Sequence, residues 1–471
     1  MNEKYINEIV GKVMANLNAS KDSSHSCEGA VCGCSFGNGI FDNMEQAVEA
    51  CVIAQREFVK MPYRFRGVVA DAIKKLAIDE APLLAKMAVE ETGLGRYRDK
   101  IIKNQLVGEK TPGIEDLRTE SWTGDDGLSL MELSPFGVIG AITPTTNPSE
   151  TILCNTIGML AAGNGAVFSP HPMAKEVSAK TVELINQVIV KCGGPVNLVT
   201  TVNNPTMAQA NILIAHPKVD MLVATGGPGV VKAVLASGKK AIGAGAGNPP
   251  VIVDESADIV KAAKDIVDGA AFDNNVLCIA EKEVFALRNI ADYLIFQMQA
   301  NGAFLVKNPA DLQKLEATVL HNGKPNKDFV GKDADYILNK AGISFTGDVR
   351  LIIVETDSSH PFVQREMLMP VLPVVRADNI DQAIKMAIEA EHGYKHTAII
   401  HSKNINNLTN FAKAIQTSIF VKNGPSYAGL GVGGEGYTTY TIAGPTGEGL
   451  TSTRDFVRRR RCVLVDDFNI R

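Results

Sequence analysis

The chain has 471 residues, of which 45% are hydrophobic and 21% charged, and it carries a formal net charge of −5. This length predicts two or three domains rather than one small core. The acidic balance argues against a nucleic-acid-binding protein, whose domains are usually basic, and we interpret the basic run at 458–461 as a solvated or interface strand. No apolar run reaches the roughly 18 residues of a membrane helix, so we expect no membrane partner.

The N-terminus and the cysteines indicate the compartment. The N-terminus lacks the basic end and apolar core of a signal peptide. Eight cysteines are scattered without a CxxC pair, which favours a reducing cytoplasm. Cys27, Cys32 and Cys34 lie close together, but three ligands at that spacing fit no standard metal pattern, so we expect no metal site.

An amphipathic helix is predicted over residues 2–17. Apolar residues recur on one face of it at the helical period, namely Ile6, Ile9, Val10, Val13, Met14 and Leu17. Residues 19–39 are rich in Ser, Gly and Cys, a composition typical of a flexible linker. We therefore separate residues 1–18 as a tethered helix that docks on a partner. The alternative is a frayed terminus that folds back on the body.

The body begins near residue 40 and shows the pattern of an α/β protein. Residues 43–110 are predicted mainly helical, and a second block of strands and helices runs from about 250 to 433. Between them, strands alternate with helices across short connections, which is typical of a doubly wound parallel sheet. The predicted strands of that part are residues 136–142, 166–169, 196–202 and 221–225. Residues 127–134 and 461–468 are predicted to form further strands.

The turn after residues 221–225 is the candidate site for a cofactor's phosphates. It reads Thr225, Gly226, Gly227, Pro228 and Gly229 and then opens a helix. Glycines let a backbone approach a phosphate, a helix N-terminus favours negative charge, and ligands of open parallel sheets bind at the carboxyl ends of strands. The alternative is a tight turn without a ligand. A formal GxGxxG at 429–434 opens no helix, so we interpret it as a mobile loop over an active site.

Together these pieces resemble the aldehyde dehydrogenase superfamily over about residues 40–471. The segments that carry the resemblance are SPFGVIGAITPTTNP (134–148), SPHP (169–172), TGGPG (225–229), DNNVLCIAEK (273–282) and REMLMPVLPV (365–374). Within the superfamily, three further segments are similar to the CoA-acylating propionaldehyde and acetaldehyde dehydrogenases of bacterial microcompartments. These are GAGAGNPPVIVDE (243–255), TSIFVKNGPSYAGLGVGGEG (417–436) and PTGEG (445–449).

The resemblance implies an α/β fold of three parts. The first is a doubly wound parallel-sheet domain that binds the dinucleotide, over residues 40–113 and 135–248. The second is an α/β catalytic domain over residues 249–434. The third is a β oligomerisation arm, formed by residues 114–134 together with the C-terminal strands of residues 435–471.

The resemblance also implies the reacting residues. Cys278 is the expected nucleophile, although a lone cysteine is otherwise most often a small buried hydrophobe. The Asn147 side chain and the backbone N–H of Cys278 are the expected oxyanion donors; alone, Asn147 would be a turn residue before a proline. Glu366, otherwise a solvated charge, is the expected ligand of the nicotinamide ribose. Further cofactor contacts are implied at Thr143, Pro144, Ser169, Pro170, His171, Pro172, Thr225, Gly226, Gly227 and Gly245.

One absence separates CoA-acylating from hydrolytic members. Hydrolytic members carry a glutamate that activates water, and its position falls here on Gly243, so we expect the acyl group to pass to coenzyme A. We expect NAD as the hydride acceptor, although residues 169–172 lack the lysine and glutamate with which hydrolytic members often hold the ribose. We also interpret that segment as loose enough for the adenine of CoA.

These expectations describe a CoA-acylating aldehyde dehydrogenase for a short aldehyde, with propionaldehyde favoured over acetaldehyde. The alternative enzyme is a hydrolytic dehydrogenase that releases the free acid. The alternative outside enzymes is a scaffolding or shell-binding protein that kept the fold. We expect a homodimer or homotetramer in the cytoplasm, inside a bacterial microcompartment, with residues 1–18 packed against shell proteins.

Overall fold

The computed structural model describes residues 38–470 of the chain. The helix predicted over residues 2–17 and nearly all of the linker predicted over 19–39 lie outside the described residues. Within the described part of the chain, no helix is both long and apolar enough to span a bilayer.

Strands and helices alternate through most of the described chain. The strands are β1 Ile40–Phe41, β2 Glu120–Gly124, β3 Gly127–Pro135, β4 Val138–Thr143, β5 Gly165–Pro170, β6 Val199–Val202, β7 Met221–Thr225, β8 Lys240–Ala244, β9 Pro250–Val253, β10 Glu283–Leu287, β11 Ala303–Val306, β12 Leu320–His321, β13 Lys324–Pro325, β14 Leu351–Glu355, β15 Val371–Ala377, β16 Thr397–His401, β17 Ile419–Lys422, β18 Ile442–Ala443, β19 Gly449–Leu450 and β20 Val457–Val465. The α-helices are α1 Met44–Phe58, α2 Tyr63–Asp79, α3 Ala81–Thr92, α4 Tyr97–Lys110, α5 Pro148–Ala161, α6 Lys175–Lys191, α7 Met207–Ala215, α8 Pro228–Leu235, α9 Ile259–Ala271, α10 Arg288–Ala300, α11 Pro309–Val319, α12 Ala334–Lys340, α13 Pro361–Gln364, α14 Ile380–Glu391 and α15 Ile405–Ile415.

The first sheet has six parallel strands in the order β1-β6-β5-β4-β7-β8. From β4 the chain moves outward through β5 to β6, then returns to β7 on the other side of β4 and ends at β8. The order therefore reverses beside β4, and ligands of such sheets bind at the carboxyl ends of the strands where the order reverses. This sheet confirms the predicted α/β class with a doubly wound parallel sheet.

The second sheet has seven parallel strands in the order β11-β14-β15-β10-β9-β16-β17. Helices cover both faces of a parallel sheet, so its central strands are buried along their whole length. All residues of β9 and β10 are buried accordingly. One contiguous hydrophobic core extends across both sheets, with Ile139 and Val223 from the first and Val251 and Val284 from the second.

Three antiparallel strands form a separate sheet in the order β2-β3-β20. Strand β20 runs beside β3 of the same chain from the pair Val457–Pro135 to the pair Val465–Gly127. The strand predicted over residues 461–468 therefore begins four residues earlier, and it contains the whole basic run at 458–461. The prediction began too late because it relied on apolar residues, whereas nearly every residue of β20 is exposed.

Strand β6 also begins later than the predicted range of 196–202. Asn197 has φ of 61°, a left-handed conformation that does not occur inside a strand. Its side-chain oxygen accepts a hydrogen bond of 3.1 Å from the backbone N–H of Gly39. The apolar residues around Asn197 therefore belong to the turn that leads into β6 rather than to the strand itself.

Candidate active site

The predicted cofactor residues meet at one edge of the first sheet. Thr143 ends β4, Pro170 ends β5 and Thr225 ends β7. Thr143 and Pro170 are direct partners across the ladder, and β7 pairs with the other side of β4. Because all three strands are parallel, their carboxyl ends and the turns that follow lie together where the strand order reverses. The structure thus brings these predicted residues together at one edge of the sheet.

The turns after these strands leave room for a ligand. Gly226 and Gly227 have no atom within 4 Å of where a β-carbon would lie. Gly227 stands at the N-terminus of α8, which favours a negative charge. On the neighbouring strand, His171 and Pro172 are exposed. His171 is nevertheless partly desolvated by neighbouring atoms, and this effect, followed by the charge of Lys327, lowers its pKa.

The remaining predicted contacts flank this edge. Ser169 is buried near the end of β5, and Pro144 follows β4 and is partly exposed. The buried hydroxyl of Thr143 has no hydrogen-bond partner among the described residues. Gly245 follows β8 and is partly exposed. Its position would bring a β-carbon to 3.8 Å from the ring of Pro445.

Cys278 lies between α9 and the central strand β10 of the second sheet and is partly exposed. It follows a turn in which Asp273, Asn274 and Asn275 all have left-handed backbones, with φ of 49°, 53° and 64°. The Asn275 side-chain N–H groups donate to the carbonyl oxygens of Ala270 at 2.8 Å and Glu281 at 3.0 Å. The turn is therefore held at both ends, and the cysteine is presented from a fixed backbone.

The charges around Cys278 oppose each other. Burial, followed by the carboxylate of Glu366, raises the pKa of the thiol to about 12, whereas the ammonium of Lys282 acts to lower it. Lys282 Nζ donates to the side-chain oxygen of Asn275 at 2.6 Å and to the carbonyl of Leu277 at 3.1 Å. Lys282 is thus fixed on the segment that precedes the cysteine, and its charge acts against the rise in the pKa of the thiol.

Asn147 occupies the N-cap position of α5 and is buried. An asparagine at this position usually accepts a hydrogen bond from the first turn of its helix, but the side chain of Asn147 does not. Its amide donates to the hydroxyl of Thr146 at 3.1 Å, and its side-chain oxygen has no partner among the described residues. The side chain is therefore available for a role other than capping.

Glu366 lies between α13 and β15 and is partly exposed. Burial raises its pKa to about 7, against the opposing effects of Lys282 and of the backbone N–H of Gly247. Lys282 therefore acts electrostatically on both Glu366 and Cys278. The structure brings this predicted ribose ligand close enough to the predicted nucleophile for its charge to act on the thiol.

The sequence interpretation missed His396. A β-carbon at Gly247 would lie 2.8 Å from the carbonyl oxygen of Cys278 and 2.9 Å from the imidazole of His396, so the three residues are packed together. Burial, followed by the charge of Lys282, lowers the pKa of His396 to about 4, which keeps the ring neutral near pH 7. No motif surrounds His396 in the sequence, and only the folded backbone places it beside the cysteine.

Gly243 is buried in β8. A β-carbon there would lie 2.8 Å from Cγ1 of Val231, so a glutamate would require Val231 to move. The backbone N–H of Gly243 donates to the hydroxyl of Thr446 at 3.2 Å. Glycine carries no carboxylate, and the contact with Val231 leaves no room for one at this position.

Comparison with known proteins identifies the class of this site. A sequence model described as the aldehyde dehydrogenase family matches residues 32–441. A CoA-propanoylating propanal dehydrogenase of Salmonella typhimurium is 50% identical over 439 residues, which cover 92% of this chain and 94% of that protein. The chain therefore belongs to the aldehyde dehydrogenase family.

Two solved structures place the chain more closely. The Rhodopseudomonas palustris propionaldehyde dehydrogenase with bound CoA and an acylated cysteine is 58% identical, with a TM-score of 0.91 over 92% of this chain and 100% of that chain. The propionaldehyde dehydrogenase of the Clostridium phytofermentans fucose utilisation microcompartment is 52% identical, with a TM-score of 0.90 over 92% and 100% of the two chains. The predicted class, a CoA-acylating aldehyde dehydrogenase, is confirmed.

Proposed function

We propose that this enzyme oxidises propanal with NAD and CoA to propanoyl-CoA and NADH, and that Cys278 carries the acyl group between the two half-reactions. The observation that carries the proposal is the placement of Cys278. It is partly exposed, it follows a tethered left-handed turn, and the charge of Lys282 acts on its thiol. Relatives with propanal or propionaldehyde in their names support the choice of aldehyde.

The chemistry divides into two steps at Cys278. The thiolate adds to the aldehyde carbon and forms a thiohemiacetal whose oxyanion is stabilised by the Asn147 amide and the Cys278 backbone N–H. Collapse of this adduct expels hydride to NAD and leaves a thioester on the cysteine. The thiolate of CoA then attacks the thioester, so that acyl-CoA leaves and the Cys278 thiolate is restored.

CoA is the proposed acceptor because the site offers no base for water at Gly243. A thiol needs less activation than water, since thiols ionise much nearer to neutral pH. Exchange of one thioester for another changes the free energy little, so the reaction runs in both directions. An acetaldehyde-preferring enzyme is the alternative within the CoA-acylating class.

We assign the cofactor to the edge where β4, β5 and β7 end. NAD would lie across Thr143, Pro144 and the 169–172 segment, with its phosphates near Thr225–Gly227, and Gly245 would flank it. Glu366 would accept hydrogen bonds from the nicotinamide ribose. Residues 40–113 and 135–248 then form the dinucleotide-binding domain, and residues 249–434 form the catalytic domain.

The arm and the N-terminal segment are assigned to assembly. Residues 114–134 and 435–471 would form the oligomerisation arm of a homodimer or homotetramer. Exposed apolar side chains on β2 and β20 support this role, namely Trp122, Val463, Leu464 and Val465. Residues 1–18 would pack against shell proteins and place the enzyme inside a bacterial microcompartment in the cytoplasm. The microcompartment origin of one relative supports this location.

The decisive experiment measures products and rates over aldehydes of two to five carbons, with and without CoA. The proposal expects acyl-CoA and NADH in equal amounts and the highest kcat/KM with propanal. Free acid formed at the same rate without CoA would identify a hydrolytic enzyme. A higher kcat/KM with acetaldehyde would overturn the choice of propanal but not of CoA. Absence of NADH formation with every aldehyde would overturn the proposal.

A further inference from the structure

Two buried lysines of one helix connect the segments that carry Cys278 and Asn147. Lys100 and Lys103 lie one turn apart on α4, and their side chains are 0% and 1% exposed. Lys100 Nζ lies 3.1 Å from the carbonyl oxygen of Thr146 and 3.1 Å from Oδ2 of Asp273. Lys100 thus contacts two segments that are distant in the sequence.

Lys103 contacts the same two segments. Its Nζ lies 2.7 Å from Oδ2 of Asp273 and 3.0 Å from Oε1 of Glu150. Asp273 begins the left-handed turn that leads to Cys278, and Glu150 lies in the first turn of the helix that Asn147 opens. One side of the lysine pair therefore touches the nucleophile segment, and the other touches the oxyanion segment.

The four side chains of this cluster are shielded from solvent. Two lysines face two carboxylates, and the exposed fractions of the Asp273 and Glu150 side chains are both 0%. Burial lowers the pKa of Lys100, although the charge of Asp273 acts to raise it. Burial acts to raise the pKa of Asp273, but Lys100 and Lys103 outweigh it and the pKa is lowered. Burial acts to lower the pKa of Lys103, but Asp273 and Glu150 outweigh it and the pKa is raised. These directions keep Asp273 and Lys103 charged at neutral pH.

Stability alone does not account for this cluster. Buried ion pairs contribute little compared with apolar side chains of similar volume, because removing the charges from water is costly. Their attested value is in fixing a unique geometry. Here Asp273 also accepts the backbone N–H of Arg96 at 2.7 Å and donates its own N–H to Asp99 at 2.8 Å. The carboxylate at the base of the nucleophile turn is thus fixed from several directions.

We infer that Lys100 and Lys103 are positioning residues that set the separation between the Cys278 thiol and the Asn147 amide. This inference rests on the proposed roles of those two residues. Neither lysine touches the reacting atoms in this assignment. They act by holding Thr146, next to Asn147, and Asp273, at the start of the turn before Cys278, on one rigid helix. A small misplacement of a reacting group has a large effect on rate.

The test is a double-mutant cycle on kcat for propanal oxidation at saturating NAD and CoA. Lys100→Met and Asn147→Ala are each expected to lower kcat about 100-fold, the scale of losing one oxyanion donor, with the KM for NAD changed less than about twofold. The kcat of the double variant should be no more than about threefold lower than that of the less active single variant, because both substitutions remove the same contribution to the rate. If the loss of kcat in the double variant instead equals the product of the two single losses, the inference is overturned.

Two further measurements separate positioning from general damage. Alkylation of Cys278 by iodoacetamide needs no oxyanion donor, so Lys100→Met should keep its rate within about threefold. Lys74→Met is the control. Lys74 is a mostly buried lysine of helix α2 whose Nζ lies 3.4 Å from Glu115 Oε1, and its substitution should leave kcat unchanged. An equal loss of kcat in Lys100→Met and Lys74→Met would overturn the inference.

A second variant covers the case in which Lys100→Met does not fold. Asp273→Asn keeps the shape of the side chain and tolerates a left-handed backbone, but removes the charge that both lysines hold. Its kcat should also fall about 100-fold, measured below a melting temperature that is itself lowered because both lysines lose a buried partner. An unchanged kcat in the folded variant would overturn the inference. If Asn147→Ala alone keeps full kcat, the proposed oxyanion role fails. If Asn147→Ala loses kcat while Lys100→Met and Asp273→Asn keep theirs, only the positioning inference fails.

Discussion

Burial raises the pKa of the Cys278 thiol to about 12, and the carboxylate of Glu366 adds to this effect. Glu366 itself has a pKa raised by burial to about 7. Below pH 7 it is therefore mostly neutral and acts little on the thiol, whereas above pH 7 its negative charge disfavours the thiolate. The charge of Glu366 therefore acts on the thiol mainly above about pH 7.

Glu366→Gln should therefore make Cys278 more reactive at high pH only. At pH 8.5 we expect iodoacetamide to alkylate the variant about threefold to tenfold faster than the parent, and at pH 6 we expect nearly equal rates. The measurement is the alkylation rate across this pH range without cofactor, with exposed Glu57→Gln as the control. A slower reaction in Glu366→Gln at pH 8.5 would show that Glu366 instead takes the thiol proton.

Cys278→Ala should fold and bind NAD but lose aldehyde oxidation by at least about a thousandfold, since no thiohemiacetal forms. Cys192→Ala is the matched control, because Cys192 is also partly exposed. It should retain nearly full kcat. Retained turnover in Cys278→Ala would mean that the nucleophile lies elsewhere.

The parent enzyme should give a single burst of NADH when CoA is left out. Because Gly243 provides no base, the thioester on Cys278 waits, and the burst should approach one NADH per active site. Stopped-flow absorbance measures the burst, and mass spectrometry of the quenched protein should find the acyl group on Cys278. Continued NADH formation with accumulating free acid would show that another residue activates water.

Gly227→Ala should weaken NAD binding without affecting the fold. The residue has φ of −66° and ψ of 161°, which alanine adopts readily, and no atom lies within 4 Å of its new methyl group. If the cofactor's phosphates cross this turn, the KM for NAD should rise about tenfold, with an unchanged melting temperature. Gly124→Ala, which also meets open space but lies in β2, is the control, and an unchanged KM in Gly227→Ala would move the phosphates elsewhere.

Deleting residues 1–18 should leave the activity of purified enzyme nearly unchanged but abolish its co-purification with shells. The expectation follows from the apolar face predicted for this segment and from the linker composition that separates it from the body. Fusing residues 1–18 to a fluorescent protein should direct that protein into the compartment. A truncated enzyme that still enters shells, or that loses stability, would assign the segment to the body of the enzyme.

The sequence predicted those parts of the molecule that depend on local pattern. Alternating strands and helices gave the sheet class, and β7 was predicted with the bounds that the structure shows, because an apolar run ends there at a glycine turn. The positions of Cys278, Asn147 and Glu366 followed from segments that resemble a known family. Whether those residues perform the roles assigned to them stays a prediction.

The parts that the sequence did not predict depend on contacts between distant residues. Lys103 and Asp273 are separated by 170 positions, and each alone has the appearance of an ordinary surface charge. The ring of His396 reaches Cys278 only across the bare backbone of Gly247. No periodicity encodes such pairs, since they arise when the first turn of α5, helix α4 and the segment before β10 are packed together.

The left-handed turn at residues 273–275 restricts how this enzyme can be re-engineered. For most amino acids the left-handed conformation costs about 1–2 kcal/mol of conformational free energy per residue, whereas aspartate, asparagine and glycine tolerate it. Saturation mutagenesis of this turn, although it adjoins the nucleophile, should therefore yield few functional clones outside those three amino acids. Libraries that aim to widen the range of accepted aldehydes are better directed at other walls of the pocket, with Asp273, Asn274 and Asn275 left as they are.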